Sequence, residues 1–474
     1  MRHMNKAYSL LALLCLLALS SCTRTLNFPD LGNLYNQAAK SHGPDRNPII
    51  VMPGILGSKL KQKGTDKNVW GTFFGEFVNP NTAENVRILS LPMSIGSRPS
   101  ELIDDVVPNG VLDTIKVKVL GIPLAVSAYT DILVSLGAGG YRDQDFGKAG
   151  AIDYGKEHYT CFQFGYDWRR SISESAIALH NFILDKQRYV KAENEKRFGK
   201  QKKPVRFDIV AHSMGGLVLR YYLRYGTQEL PADGSLPELT WEGKKHIDKV
   251  VLIGTPSAGS LDSLSNLVDG ANFGFFLPNY PPSILGTYSS LYQLLPRTRH
   301  GMVQESKTGE KVDLFDPKLW EEMEWGLADP QEEKYLRQML PEVPSGAQRR
   351  AIALEHQAKM LAQAEQLHRA LDQPAEPPES LKYFLIAGDA ADTSSLFHLD
   401  KEKRTLKKVK SAPGDSIVLR SSALMDERLG RAWSPKLNSP IEWDRVMFLF
   451  DDHIGMTKDP VFTDNLLFYL LEKD

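Results

Sequence analysis

Short apolar runs alternate with longer amphipathic stretches through most of the chain. Runs rich in β-branched residues and bounded by Gly, Pro or polar residues are typical of buried strands. Five such runs are Asn47–Met52, Val205–Val210, Val250–Ile253, Tyr383–Ile386 and Val446–Phe450. Helical patterns lie between them, notably at Ser173–Phe198 and Leu217–Tyr225. The alternation predicts an α/β fold with a mostly parallel central sheet and helices on both faces.

Two long segments, about 60–128 and 262–380, do not follow this alternation. Long excursions from an α/β sheet commonly cover an active site, so we expect a cap in the first and a lid in the second. The core then comprises residues 47–261 and 381–474. Phe275 and Phe276 in the lid, and Trp70 in the cap, are the predicted substrate contacts, although the lid aromatics could equally pack the lid onto the core.

The N-terminus has the pattern of a processed segment. Arg2 and Lys6 precede an apolar run, Ala7–Leu19, which has the length of a signal-peptide core and is short for a membrane span. It ends in Leu-Ser-Ser-Cys22, which resembles the bacterial lipobox. We predict a lipoprotein signal peptide at residues 1–21, lipidation of Cys22, and a tether at residues 22–46. An ordinary secretory signal or a short anchor is the alternative.

The residue after Cys22 bears on which bacterial membrane would hold the predicted lipoprotein. It is Thr23, whereas an Asp there would suggest retention in the inner membrane of Gram-negative bacteria. The expectation is therefore a lipoprotein of the bacterial cell envelope, held at the outer membrane through Cys22.

The net charge and the cysteine count limit the partners, disulfides and metal sites that we expect. The formal net charge is −1, so no basic surface indicates nucleic-acid binding. Of three cysteines, Cys15 would leave with the signal and Cys22 would carry lipid. Cys161 alone would remain, and no internal disulfide is expected. No Cys/His spacing indicates zinc, and we expect neither metal nor cofactor.

The strongest chemical signal surrounds Ser213. A strand runs through Asp-Ile-Val-Ala-His into Ser213, and Met-Gly-Gly begins a helix. This matches the nucleophile elbow G-x-S-x-G, with Ala211 in place of the first glycine. A serine on such a turn stands clear of the sheet, and the positions two before and two after it must be small. A purely structural turn or a dinucleotide-binding loop is the alternative.

A base and an acid should follow the serine, in the order Ser, acid, His. His453 comes directly after the last predicted strand and before a helical stretch, Pro460–Leu471, where the base of this fold belongs. The acid has two candidates, and Asp415 is preferred to Asp389, which more plausibly starts a hairpin. The remaining histidines considered are better explained as packing or surface residues: His212, His356, His368 and His398.

The oxyanion hole of such an enzyme uses two backbone N–H groups. Met214, directly after the serine, would supply one. Met52–Ser58 is an early loop with glycines that allow close backbone approach, and Ile55 is the predicted second donor. An ordinary strand-end turn is the alternative.

Several segments together resemble the lecithin:cholesterol acyltransferase family, which includes lysosomal phospholipase A2. They are Pro53-Gly-Ile-Leu-Gly-Ser, Gly165-Tyr-Asp-Trp-Arg169, Ala211-His-Ser-Met-Gly-Gly216, Gly254-Thr-Pro-Ser-Ala-Gly-Ser260, Leu291-Tyr-Gln-Leu-Leu-Pro296, Gly414-Asp415 and His453-Ile-Gly-Met456. The resemblance implies an α/β-hydrolase fold with cap and lid insertions, and lipid esters as acyl donors.

The predicted function is a membrane-anchored serine hydrolase that acts on lipid acyl esters, as a lipase, phospholipase or O-acyltransferase. A short-chain or polyester carboxylesterase is the alternative within enzymes. An envelope lipoprotein that kept the fold only as a binding module is the alternative outside them, and the intact Ser213, Asp415 and His453 argue against it.

Overall fold

A computed structural model describes residues 30–41, 43–71, 78–112, 114–119, 122–127, 129–149, 158–272 and 279–472. The predicted signal peptide, Cys22, Phe275 and Phe276 lie outside these residues. Part of the predicted tether is helical, and Tyr35 Oη donates a hydrogen bond of 2.9 Å to Asp464 Oδ1 in the C-terminal helix.

The centre of the molecule is a parallel β-sheet. Its strands, in chain order, are β1 (Ile49–Met52), β7 (Cys161–Gln163), β8 (Phe207–His212), β9 (Ile247–Ile253), β13 (Lys382–Gly388) and β16 (Arg445–Leu449). Across the sheet the order is β16-β13-β9-β8-β1-β7, and each neighbouring pair is parallel. The carboxyl ends of the strands therefore share one edge, where catalytic loops of open α/β sheets lie.

Smaller sheets, most of whose strand pairs are antiparallel, lie outside the central sheet. The cap region holds β2 (Ser58–Gln62), β3 (Asn68–Trp70), β4 (Val106–Val111), β5 (Thr114–Val119) and β6 (Ile122–Ser127), with β2 between β3 and β4. The remaining strands are β10 (Ala271–Asn272), β11 (Asn279–Tyr280), β12 (Val303–Glu305), β14 (Ala391–Asp400) and β15 (Thr405–Gly414).

Helices cover both faces of the central sheet and form most of the lid. They are α1 (Leu31–Leu34), α2 (Asn36–Lys40), α3 (Ala83–Leu89), α4 (Thr130–Ala138), α5 (Gln144–Ala149), α6 (Ile172–Phe198), α7 (Met214–Tyr225), α8 (Leu261–Asp269), α9 (Pro282–Leu285), α10 (Ser289–Gln293), α11 (Pro317–Met323), α12 (Glu333–Met339), α13 (Gly346–Asp372), α14 (Arg420–Leu424) and α15 (Pro460–Leu471).

The central strands are apolar on both faces because each face packs against helices. Successive side chains of a strand point to opposite faces. Ile209 and Ala211 of β8 accordingly join a core built with α6 and α7, whereas Val210 joins a second core built with α4 and α15. The predicted fold class, a mostly parallel sheet with helices on both faces, is confirmed.

The differences from the sequence prediction are local. β7, only Cys161–Gln163, was not predicted, because a run this short carries little periodic signal. Asp389 does precede a hairpin, formed by β14 and β15. His398, which the sequence analysis explained as a packing or surface residue, lies in β14.

The long lid helix α13 packs one face onto the core. Leu361, Ala364, Leu367 and Leu371 are buried there, which accounts for the charged residues on its other positions. Across the described residues, no helix combines the length and apolar character that a membrane span requires. No group of three or more His, Cys, Asp or Glu side chains in the same residues could hold a metal ion.

Candidate active site

Ser213 occupies a sharp turn between β8 and α7. Its φ of 52° and ψ of −128° place it in a region that residues with a side chain rarely adopt. The turn is held by the Ser213 N–H, which donates a 2.7 Å hydrogen bond to the carbonyl of Ile253 at the end of β9. Strain maintained by the neighbouring strand is the geometry of a nucleophile elbow.

Gly215 shows why the elbow needs small residues. A Cβ at this position would lie 2.5 Å from the carbonyl oxygen of Pro53. The three atoms nearest to this Cβ belong to Pro53 and Met52, where β1 ends. The glycine is therefore required because the elbow packs tightly against the early loop.

Asp415 and His453 form a buried pair at the same edge of the sheet. Asp415 Oδ2 lies 2.7 Å from His453 Nδ1, and the backbone N–H of His453 donates to the Asp415 carbonyl at 2.9 Å. The other carboxylate oxygen of Asp415 accepts hydrogen bonds from the N–H groups of Ile417 and Val418 at 3.1 and 2.6 Å. Side chain and backbone together fix the imidazole, with Nδ1–H directed at the carboxylate.

Gly254 adjoins both this pair and the serine. It follows Ile253, whose carbonyl holds the Ser213 N–H. A Cβ on Gly254 would lie 3.1 Å from Asp415 Oδ2 and from His453 Nδ1. The turn after β9 thus brings the three candidate catalytic segments together.

The early loop, Pro53–Ser58, is fixed by three side chains from two other segments. Tyr166 Oη and Trp168 Nε1 donate hydrogen bonds of 2.9 and 3.2 Å to the carbonyls of Pro53 and Ser58. Trp70 Nε1 donates to the carbonyl of Leu56 at 2.7 Å. The Tyr-Asp-Trp-Arg run noted in the sequence therefore includes two side chains that hold this loop in place.

Two N–H groups near Ser213 are available to a ligand. Within the described residues, no hydrogen bond engages the N–H of Ile55 or that of Met214. The loop approaches the serine closely, since a Cβ on Gly54 would lie 2.6 Å from Ser213 Cβ. The two predicted oxyanion donors thus belong to segments that meet at Ser213.

His212 links the loop of the base to the early loop. Burial lowers its pKa to about 3, and the neighbouring His453 acts in the same direction. The ring is therefore neutral, and Nε2 must carry the proton that it donates to the His453 carbonyl, 3.0 Å away. Nδ1 then accepts from Tyr129 Oη at 3.2 Å, and Tyr129 Oη accepts from the Gly54 N–H at 2.8 Å.

A cavity beside Ser213 is mostly apolar. Its lining residues are Ile55, Leu56, Trp168, Ser213, Pro256, Ser260, Asp262, Ser263, Asn266, Leu285, Tyr288, Leu291, Leu294, Ile417 and Val418. Trp70, a predicted substrate contact, packs behind this lining, with its ring 5.5 Å from that of Trp168. The sequence did not single out Asp262 or Tyr288, because nothing local marks them as neighbours of Ser213.

The other acid and base candidates considered from the sequence make different contacts. Asp389 forms an ion pair of 3.0 Å with Arg420. His356 and His368 of α13 are buried, and each lies within hydrogen-bonding distance of a backbone carbonyl, that of Thr287 or Gln293.

Comparison with known proteins supports the resemblance noted in the sequence. The family model "Lecithin:cholesterol acyltransferase" matches residues 148–363, which include Ser213. The curated "Lecithin-cholesterol acyltransferase-like 4" of Arabidopsis thaliana is 24% identical over 195 residues, which make up 38% of this chain and 31% of that protein. The chain therefore spans about a third of the length of that relative.

One solved structure with a TM-score above 0.5 agrees on the fold. The crystal structure of the Tle4-Tli4 complex matches with a TM-score of 0.51 and 14% identity, covering 90% of this chain and 98% of that chain. Lipase 1 from Pelosinus fermentans matches with a TM-score of 0.32 and 13% identity, over 90% of this chain and 98% of that chain. The chain thus has the α/β-hydrolase fold, and its residues 148–363 are similar to the lecithin:cholesterol acyltransferase family.

Proposed function

We propose that this protein is a serine hydrolase or acyltransferase that acts on lipid acyl esters. The observation that carries the proposal is the buried contact of 2.7 Å between Asp415 and His453, at the same sheet edge as the strained Ser213. A turn with a purely structural role would not require a strained serine at the same sheet edge as a carboxylate–imidazole pair.

In the proposed mechanism, Ser213 Oγ attacks the ester carbonyl while His453 Nε2 accepts the hydroxyl proton. Asp415 holds the Nδ1–H tautomer and stabilises the imidazolium that forms. The N–H groups of Ile55 and Met214 stabilise the negative oxygen of the tetrahedral intermediate. Return of the proton to the leaving alcohol gives an acyl-enzyme, which water or a second alcohol then resolves.

The apolar cavity supports an acyl chain as the group next to the reacting carbonyl. Its walls include Trp168, Leu285 and Leu291, which can bury methylene groups. Phe275 and Phe276 remain proposed contacts for longer chains. Trp70 is proposed to act by supporting Leu56 and Trp168, since it packs behind them.

Attachment to the bacterial envelope through a lipidated Cys22 is the second part of the proposal. A mature lipoprotein with several acyl chains would be firmly anchored, so wild-type protein should fractionate with membranes. Cys22→Ser should release an active protein into the soluble fraction. Unmodified wild-type protein in the soluble fraction would argue against the anchor without affecting the proposed catalysis.

The catalytic proposal is tested with a fluorophosphonate probe and a series of esters with increasing acyl length. The probe should label Ser213, and Ser213→Ala should abolish labelling and reduce turnover by on the order of 10³-fold or more. Ser265→Ala, on the partly exposed side of α8, is the matched control and should retain both. Labelling that persists in Ser213→Ala would contradict the mechanism, and activity confined to short acyl chains would favour a carboxylesterase.

A further inference from the structure

A second cavity lies at the C-terminal end of the lid helix α13. Its volume is about 640 Å³, within the range of small-molecule sites, and it shares no lining residue with the cavity beside Ser213. The charged side chains in its lining are four arginines and three carboxylates, namely Arg297, Arg299, Arg369, Arg431, Glu365, Asp372 and Glu427.

Two of these carboxylates are already engaged by arginines. Arg297 Nε and Nη2 donate hydrogen bonds to the two carboxylate oxygens of Asp372, at 3.1 and 3.0 Å. Arg299 Nη1 also donates to Asp372, and its Nε donates to Glu427, both at 2.9 Å. Arg431 is exposed, and no hydrogen bond or ion pair of its side chain occurs in the described residues. Its guanidinium is therefore available to a ligand.

Two further arginines lie behind this wall, on α7. Arg220 and Arg224 are buried, and each donates to a backbone carbonyl at the end of α13, that of Leu371 or Gln373. Neither forms an ion pair within the described ranges. Burial lowers the pKa of Arg220 to about 10, which Asp372 opposes and the charge of Arg224 reinforces. The region thus holds more positive charge than its carboxylates neutralise, and a buried charge without a counter-charge is costly.

Arg297 is the buried arginine that lines the cavity itself. Its side chain is 2% exposed, and its Nη1 has no hydrogen-bond partner among the described residues. A buried donor without a partner costs free energy, which an acceptor supplied by a ligand would recover. Arg297 therefore offers a charged N–H group to an anion in this cavity.

Apolar side chains complete the lining. Leu236 and Phe315 stand in the same cavity as the arginines, so a ligand can place a charged group at one wall and an apolar body at another. A phosphate group suits several arginines, because it carries up to two negative charges and several acceptor oxygens.

We infer that this cavity binds a phosphate monoester, with Arg297 and Arg431 holding the phosphate group and Leu236 and Phe315 contacting the organic part. The inference does not depend on the proposed ester chemistry at Ser213. A soluble small molecule and a lipid headgroup can present the same phosphate group, and the two sources are separable by experiment.

The alternative explanation is structural. The last carbonyls of a helix lack partners within the helix, and cations near them are stabilising. Arg220 and Arg224 would then cap α13, and Arg297 and Arg299 would hold its end through Asp372. In that case the cavity would bind phosphate no better than any other exposed arginine does.

The test is calorimetric titration of the full-length protein with inorganic phosphate, hexyl phosphate and hexanol, at constant ionic strength. None of these is a carboxylic ester. Both phosphates should bind and raise the Tm, hexyl phosphate the more tightly, whereas hexanol should not bind.

Two variants assign the binding to this cavity. Arg297→Lys keeps a charge beside Asp372 but loses Nη1, and should raise the Kd for hexyl phosphate by about tenfold. Arg431→Gln is an exposed change that should fold normally and raise the Kd by about threefold. Arg445→Gln, the same substitution at an exposed position of β16, is the matched control and should leave the Kd unchanged.

The source of the phosphate is tested with glycerol 3-phosphate and dihexanoyl phosphatidic acid, on Ser213→Ala protein so that the lipid is not cleaved. Tighter binding of the lipid would assign a headgroup, and tighter or equal binding of glycerol 3-phosphate a soluble ligand. Absence of binding to both inorganic phosphate and hexyl phosphate would overturn the inference. An unchanged Kd in Arg431→Gln, and in Arg297→Lys where it folds, would also overturn it.

Discussion

His212 Nε2 lies 3.0 Å from the carbonyl oxygen of His453, so the residue before the elbow serine is tied to the loop that carries the proposed base. Through Tyr129, the same ring is connected to the N–H of Gly54. One neutral imidazole thus fixes the spacing between the base loop and the loop of the proposed oxyanion donors. His212 belongs to neither loop, so this connection forms only when the central sheet is folded.

Replacement of His212 should therefore impair catalysis without removing a reacting group. His212→Ala loses two buried hydrogen bonds, each worth about 1 kcal/mol, and kcat should fall by about tenfold or more. His212→Gln can still donate to the His453 carbonyl and should recover part of the loss. Equal kcat in wild type and His212→Ala, measured on a soluble ester, would show that the link is dispensable.

Gly54→Ala should strongly reduce activity, although it adds only one methyl group. The new Cβ would lie 2.6 Å from Ser213 Cβ, so either the serine or the early loop must move. A displacement of this kind costs on the order of 10²-fold in rate. Gly43→Ala is the control, since no atom lies within 4 Å of the added carbon, and it should retain full activity and the same Tm.

The assignment of the acid can be decided by two substitutions of the same type. Asp415→Asn should reduce kcat/KM by on the order of 10³-fold, because the amide favours the wrong tautomer of His453. Asp389→Asn breaks only a partly exposed ion pair with Arg420, and its loss should stay within about threefold. A reversed order of the two losses would assign the acid to Asp389.

The buried carboxyl group of Asp208 should make the free energy of unfolding depend on pH. It is buried in β8, where it accepts hydrogen bonds from Asn47 Nδ2 and the Lys249 N–H at 3.0 and 3.1 Å. Burial raises its pKa to about 6, so between about pH 4 and pH 6 the folded state holds a proton that the unfolded state has lost. This group makes the free energy of unfolding fall as pH rises through that window.

Asp208→Asn should remove this penalty and keep both hydrogen bonds. The free energy of unfolding near neutral pH should rise by at most about 3 kcal/mol, measured by urea denaturation on both sides of the window. Asp248→Asn should do the opposite, because Asp248 is paired with Arg206 and Lys244 and its pKa is lowered chiefly by those contacts against the effect of burial. A gain of stability in both variants would indicate a general effect of lost negative charge.

Much of the fold could be predicted because its signals are local. The elbow around Ser213 combines a strand, a strained turn and a helix within a short segment, and His453 directly follows a predicted strand. Asp415 was preferred because it stands in a turn followed by an apolar pair. Each of these patterns depends on backbone requirements that neighbouring residues must satisfy.

What could not be predicted depends on contacts between distant segments. Nothing near Tyr129 or Asp262 in the chain indicates that one meets His212 and the other enters the cavity of Ser213. Trp70 was predicted to contact the substrate, but the sequence alone does not distinguish a tryptophan that lines a cavity from one that supports its wall. Only the packing of the cap against the early loop distinguishes the two.

The order of the sheet has a consequence for the time at which catalysis can begin. From β1, the strands β8, β9, β13 and β16 are added outward in the order in which the ribosome makes them. Domains generally fold as units, so Ser213 gains its proposed base only after the outermost strand has been made and His453 lies beside Asp415. A nascent chain would accordingly lack its proposed base until the outermost strand of the sheet was in place.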